Sequence, residues 1–167
     1  TFDASQSWST IYRFQISYPA LGGADGFGFH IHNDGVGANP GHEGGNLSNP
    51  RLSAVIDTWN NGEGADESLR LILNGNQVYI NNLLDYDTDP SPGSSPTVFR
   101  MELSYVAGNN EISIRLYDEG SSDALFDSAL NVSLDSFGPS WAGFSAVTGM
   151  STQNHDIRTW MLTGATT

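Results

Sequence analysis

The sequence predicts an all-β protein built from two packed antiparallel sheets. Short stretches of alternating polarity recur along the chain, and none keeps a helical period over about three turns. The 19 glycines and 7 prolines fall between these stretches, as the turns of such a fold require. Two connections have hairpin composition, Asn74-Gly75-Asn76 and Ala107-Gly108-Asn109-Asn110. We expect about nine or ten strands in a single domain spanning residues 1–167.

The strand pattern is clearest at residues 26–32, where Phe27, Phe29 and Ile31 fall on one face and glycine and histidine on the other. The predicted strands are 8–18, 26–32, 52–59, 69–73, 77–81, 98–106, 111–117, 124–132, 141–147 and 157–162. Long loops follow the second and fifth of these strands, and loops of this kind commonly carry binding residues.

Charge and cysteine content exclude several classes of function. The formal net charge is −13 with 6 arginines, 19 acidic residues and no lysine, which disfavours nucleic acid and anionic membranes as partners. The absence of cysteine excludes disulfides and thiolate metal sites. No apolar run approaches the ~18 residues of a membrane span, and the start at Thr1 without a signal peptide suggests a cut or processed chain.

An oxygen-rich segment follows the third predicted strand. Side-chain oxygens of Asp57, Asn61 and Asp66, with the Trp59 carbonyl, can converge if the loop curls back. Calcium prefers such ligands, and the intervening glycines allow the curl. The alternative is an Asn/Gly-rich turn whose acids face water. From spacing alone, both readings stay open.

Three further loops carry polar groups at strand ends. Asp25, before the strand at Gly26, could accept hydrogen bonds from two ligand hydroxyls, or it could simply form an Asp-Gly turn. The glycine pair at 44–45 allows close backbone approach to a ligand. Residues 150–154 offer hydroxyl and amide groups between the last two strands. Each of these signals is weak alone.

Taken together, these motifs resemble those of L-type (legume-lectin-like) lectins, and the similarity is greatest to bacterial members of the class. The motifs occur in the family's order: Ala24-Asp25-Gly26-Phe27, the glycines 44–45, Ile56-Asp57-Thr58-Trp59-Asn60-Asn61, and GFSAVTG followed by HDIRTW. The resemblance spans about Trp8 to Leu162. It implies a concanavalin-like jelly-roll β-sandwich, calcium-dependent glycan binding, a secreted or cell-surface location, a role such as adhesion, and no enzymatic activity.

The resemblance also implies roles for the loop residues in sugar binding. Asp25 corresponds to the family's sugar-binding aspartate, which follows a cis peptide bond with the preceding residue. Gly45 corresponds to the backbone N–H donor to the sugar, and Asn61 to the residue that contacts sugar and calcium together. Met150 and Ser151 stand where the fourth binding loop contacts the ligand.

The implied metal site holds one calcium ion. Its ligands would be Asp57, the Trp59 carbonyl, Asn61 and Asp66. Plant members also carry a transition-metal site, but its glutamate and histidine are replaced here by Val55 and Leu71. We therefore expect that second site to be absent.

The Trp59 ring and a pair of histidines each allow two interpretations. The Trp59 ring stands where L-type lectins often stack the sugar, but it could equally belong to the core. His30 and His32, on one strand face, could bind zinc with His42, although such histidines are more often polar residues of a sheet.

At the N-terminal end, family members have several strands before the one that corresponds to Trp8, and we expect this chain to lack them. A trimmed or cleaved chain, or strands supplied by a second copy or a neighbouring domain, would account for that.

Two other functions compete with sugar binding by a lectin. A glycoside hydrolase or lyase on the same scaffold would need a pair of carboxylates about 5 Å apart, commonly at alternate strand positions. No Glu-x-Asp-x-x-Glu run exists, and Glu102 has no acid two residues away. A structural or adhesive module without an active sugar site is the second alternative. Loss of glycan binding with EDTA would separate a lectin from such a module.

Overall fold

The strands follow the predicted order closely. A computed structural model describes residues 1–17, 24–41, 43–59, 67–83, 96–148 and 152–166. The strands of this part of the chain are β1 (Phe2–Asp3), β2 (Trp8–Ser17), β3 (Gly26–His32), β4 (Arg51–Asp57), β5 (Ser68–Leu73), β6 (Asn76–Asn82), β7 (Val98–Val106), β8 (Glu111–Asp118), β9 (Phe126–Asn131), β10 (Pro139–Val147) and β11 (Asn154–Gly164). A short 3₁₀ turn, Ala107–Asn109, connects β7 to β8.

The strands form two antiparallel sheets. Their orders are β1-β10-β3-β4-β5-β6 and β11-β2-β7-β8-β9. Contacts divide the chain into two compact units: the first comprises residues 1–15, 97–140 and 156–167, and the second residues 16–96 and 141–155. In the described residues, no helix is long and apolar enough to cross a membrane.

The first unit has the burial pattern of a sheet with one face packed on the core and one face exposed to solvent. Along β7, side chains alternate between buried and partly exposed positions from Phe99 to Tyr105. Phe14 stacks on Phe99 with ring centroids 5.6 Å apart, and the Trp8 indole donates to the Ala4 carbonyl at 3.3 Å. Alternation alone therefore determines which side chains form this part of the core.

The second unit differs because β3 is buried on both faces over its whole length. One face is apolar and includes Phe27, Phe29 and Ile31, as predicted. Strand register assigns the other face: His30 pairs with Ser53, Gly28 with Ser145, and Val55 with Arg70. We call this second face, with His30, Ser53, Ser145 and Arg70, the polar face.

Strand ends agree with the sequence where the turn chemistry is explicit. Both ends of β3 and β7 are confirmed. The Asn74-Gly75 hairpin is confirmed as well, with φ of 52° and 84° at its two residues, the left-handed values that such a turn needs. β1 was not predicted, because two residues are too few to produce an alternating pattern.

Candidate functional site

A loop covers the polar face and explains its burial. This covering loop comprises residues 33–50, of which His42 lies outside the described residues. Gly44, at φ 75°, lies so close that an added Cβ would stand 2.3 Å from Ser53 Oγ. The Ser145 hydroxyl donates to the Gly41 carbonyl, and Arg51 donates to the Leu47 carbonyl. Glycine is thus required at position 44 by both backbone conformation and space.

His30 holds the centre of the polar face. Its ring is fully buried, with Nδ1 2.8 Å from Ser53 Oγ and Nε2 2.8 Å from Ser145 Oγ. Since both ring nitrogens have hydrogen-bonding partners, His30 acts as a link between three strands. No group of three or more His, Cys, Asp or Glu residues that could hold a metal occurs in the described part of the chain. The zinc hypothesis has no support there, and its third residue, His42, is not described.

At one end of the polar face, the chain brings Asp25 and Asp57 together. Gly26 pairs with Asp57 in the β3–β4 ladder. The Asp25 N–H donates to the Val147 carbonyl at 2.9 Å, and the Asp25 carbonyl accepts the Thr58 N–H at 3.1 Å. The Ala24–Asp25 peptide bond is cis, as the resemblance implies. These contacts position Asp25 between the ends of β4 and β10.

Asp57 is buried and already has two hydrogen-bond donors. Only 1% of the residue is exposed, Oδ1 accepts the Trp59 N–H at 3.1 Å, and Oδ2 accepts from the Arg70 guanidinium at 2.8 Å. The same Arg70 nitrogen donates to Glu43 of the covering loop. Burial lowers the pKa of Arg70, but a guanidinium stays charged at any physiological pH.

Arg70 is the site residue that sequence reasoning missed. It stands within SLRLIL, which reads as an ordinary core strand. The signal that could have revealed it is the single charge inside an apolar run, since buried charges need partners. Leu71, its neighbour, is fully buried and pairs with Ala54 rather than with a polar-face residue.

Trp59 and the segment after residue 151 flank the Asp57 end. The Trp59 residue is 47% exposed, so its ring is not part of the core. The Thr58 hydroxyl donates to Gln153 Oε1 at 2.8 Å, and His155 Nε2 lies 2.8 Å from the same oxygen. Gln153 therefore links Thr58, directly after β4, to His155 within the second unit.

The predicted site residues fall into two groups. Asp25, Gly45, Asp57 and Trp59 are described, and all belong to the second unit. Asn61, Asp66, Met150 and Ser151 lie outside the described residues, so their roles stay predictions. Gly45 has nothing within 4 Å of the position of an added Cβ, so its surroundings are open, in contrast to Gly44.

The oxygen atoms around Asp57 can be compared with the ligands that calcium prefers. A carboxylate oxygen can accept more than one hydrogen bond or metal contact, so the hydrogen bonds from the Trp59 N–H and Arg70 are compatible with a cation at Asp57. Aspartate oxygens and a backbone carbonyl are suitable calcium ligands. The Arg70 charge offsets part of the negative charge of Asp57. The described residues at this end of the sheet fit a calcium site, and the other predicted ligands, Asn61 and Asp66, lie outside the described residues.

No protein-family model matches this chain, and no curated protein sequence matches it either. Among solved structures, lectin I-B4 of Griffonia simplicifolia in its metal-free form matches with a TM-score of 0.75 and 20% identity, covering 94% of this chain and 71% of that one. The Bauhinia forficata lectin in complex with GalNAc matches with a TM-score of 0.71 and 19% identity, covering 93% and 72%. Lectin II from Ulex europaeus matches with a TM-score of 0.70 and 17% identity, covering 94% and 72%. These likenesses confirm the predicted fold class: the chain has the antiparallel β-sandwich fold of the legume lectins.

Proposed function

We propose that this chain is a lectin domain that binds a glycan at the Asp25–Asp57 end of its polar face, with one bound calcium ion. The observation that carries the proposal is the convergence of three segments in the second unit. Asp25 is held at the end of β4 through Thr58, and Glu43, two residues before Gly45, shares Arg70 with Asp57.

The chemistry of these groups suits an uncharged, hydroxyl-rich ligand. A carboxylate such as Asp25 accepts hydrogen bonds from neighbouring hydroxyls, and a backbone N–H such as that of Gly45 donates one. The half-exposed Trp59 ring offers a flat apolar surface, and sugar C–H groups pack well on such rings. The solved Bauhinia lectin contains GalNAc, which supports a saccharide as the ligand class.

In this proposal calcium is held by Asp57, the Trp59 carbonyl, Asn61 and Asp66. When bound, calcium supplies positive charge and fixes the ligand-bearing loop. The chain's own groups do the rest: Asp25 and Asn61 orient sugar hydroxyls, Gly45 donates its N–H, and Met150 and Ser151 contact the ligand edge. Similarity to the bacterial type of L-type lectin and a secreted or cell-surface location remain part of the proposal.

We propose binding without catalysis. Two carboxylates that meet at the polar face, Glu43 and Asp57, both accept hydrogen bonds from Arg70. That arrangement is typical of a structural ion pair, whereas hydrolysis requires one carboxyl group free to donate a proton.

The test is glycan binding by the purified chain, screened on an array and measured by titration in millimolar calcium and in EDTA. Binding should occur only with calcium, and calcium should raise the melting temperature by mass action. Asn61→Ala and Asp25→Asn should each weaken binding by at least about 30-fold, the effect of losing a central contact. Asp123→Asn, at an exposed turn of the first unit, is the matched control and should bind normally.

Glycan binding that persists at full strength in Asn61→Ala would contradict the site. A melting temperature that is the same with and without calcium would contradict the metal. If no glycan on the array binds in the presence of calcium, a structural or adhesive module would be favoured. Release of sugars from a polysaccharide panel would favour an enzyme.

A further inference from the structure

Arg70 links two segments that are distant in sequence. Its side chain is 4% exposed and contacts Asp57 Oδ2 at 2.8 Å, where the Asp57 side chain is 2% exposed. The same nitrogen pairs with Glu43, whose side chain is 39% exposed. Buried charges are costly unless they are paired, so this guanidinium favours the arrangement in which both carboxylates stay in place.

Glu43 lies in the part of the covering loop that leads to Gly45. On one side this part is fixed by close packing, because Gly44 lies against Ser53 Oγ. Inside the loop, the Leu47 N–H donates to the Gly44 carbonyl at 3.0 Å and the Asn46 N–H to the Pro40 carbonyl at 3.2 Å. The Glu43–Arg70 pair adds an electrostatic contact from this loop to β5.

We propose that Arg70 is a positioning residue for the glycan site. Through Glu43 and Asp57, it fixes the loop that presents the Gly45 N–H to the end of β4 that carries Asp57. The proposal rests on the proposed function, since it assigns Arg70 to that site. Because the link is a side chain of the protein itself, the loop keeps its order with or without calcium.

Glu43→Gln is the informative variant, because it weakens the link from its more exposed end and leaves Arg70 paired with Asp57. Hydrogen exchange of the Asn46 and Leu47 amides, followed in EDTA and in millimolar calcium, reports loop order. We expect exchange to rise by about fivefold in both conditions, on the scale of the net contribution of one ordinary hydrogen bond. Glu119→Gln, which breaks the half-exposed pair with Arg13 in the first unit, is the matched control and should leave these amides unchanged.

Glycan titration supplies the second readout. Glu43→Gln should weaken glycan binding by about fivefold and lower the melting temperature by no more than about 4 °C, and Glu43→Asp, which keeps the charge, should recover part of the affinity. Unchanged exchange in Glu43→Gln would overturn the role of Arg70, and so would wild-type amides that are protected only when calcium is present. A wild type that binds no glycan would instead overturn the proposed function, so the two failures are distinguishable.

Discussion

Both units contain arginine–carboxylate pairs, but they place them in opposite environments. In the first unit, Arg13 pairs with Glu119 at 3.1 Å and both side chains are 40% or more exposed. In the second, Arg70 and Asp57 form a pair that is almost fully buried. An exposed pair is screened by water and contributes little to stability, whereas a buried pair costs desolvation that close geometry must offset. A buried pair at the edge of a candidate site therefore indicates that its charged residues have a structural or binding role, and do not serve only to keep the protein soluble.

The largest effect should come from removing one partner of the buried pair. In EDTA, Arg70→Met leaves the buried Asp57 carboxylate without its guanidinium partner, and we expect a loss of about 3–5 kcal/mol in the free energy of unfolding. Arg13→Met, the matched change in the first unit, should cost no more than about 1 kcal/mol. Urea denaturation at pH 7 measures both. Adding Asp57→Asn to Arg70→Met should recover part of the loss, because the buried negative charge is then gone.

Equal losses in the two single variants would contradict the comparison. They would mean that water reaches Arg70 in solution as readily as it reaches Arg13, and that burial does not distinguish the two pairs. A double variant that is less stable than Arg70→Met alone would mean that Asp57 stabilises the fold through contacts other than Arg70.

The two adjacent glycines of the covering loop allow a packed and an open position to be compared by adding a single methyl group to each. Gly44→Ala combines a left-handed φ of 75° with a Cβ 2.3 Å from Ser53 Oγ, so we expect a loss of about 1–3 kcal/mol and weaker glycan binding. Gly45→Ala meets nothing within 4 Å and should change stability by no more than about 0.5 kcal/mol. Thermal melts and glycan titration measure both variants. A fully stable Gly44→Ala would show that the covering loop does not lie on Ser53.

The first unit is where sequence reasoning is most complete. In β7, alternation identifies the buried positions from Phe99 to Tyr105 without knowledge of the partner strands. In β3 the same rule identifies the apolar face, but the other face is also buried, with His30 fully inaccessible. Whether a polar face is covered depends on where a distant loop lies, and alternation carries no information about that.

The candidate site also contains some residues that the sequence brings together and others that only the folded structure brings together. The resemblance brought Asp25 and Asp57 into one hypothesis, and the β3–β4 pairing puts them at one end of the sheet. Arg70 and Glu43 could not be paired from the sequence, because 27 positions separate them and neither belongs to a recognisable motif. The link exists only after β5 pairs with β4 and the covering loop folds over both strands, so it is a product of tertiary structure.

The smallest effect we expect is a pH dependence at the junction of β3 and the covering loop. His32 is 6% exposed and its Nδ1 accepts the Asp34 N–H at 3.2 Å. Burial lowers the pKa of His32, an effect that the charge of Asp34 partly offsets. Hydrogen bonds from Ser48 lower the pKa of Asp34, chiefly the one from its backbone N–H. In both cases the unfolded chain takes up the proton first as pH falls, so folding stability is complete above the ordinary pKa and is lost below it.

The two groups therefore act in separate windows, His32 below its ordinary value of 6.5 and Asp34 below 3.8. Between pH 7.5 and 5 only the His32 contribution changes within this pair, and we expect it to lower the melting temperature by no more than about 4 °C. His32→Gln removes that contribution, so the variant should lose less stability than the wild type over this range. Matched melts of the two proteins at both pH values measure the difference. If the two proteins lose the same number of degrees, His32 is not held neutral by burial, and the covering loop leaves its imidazole open to water.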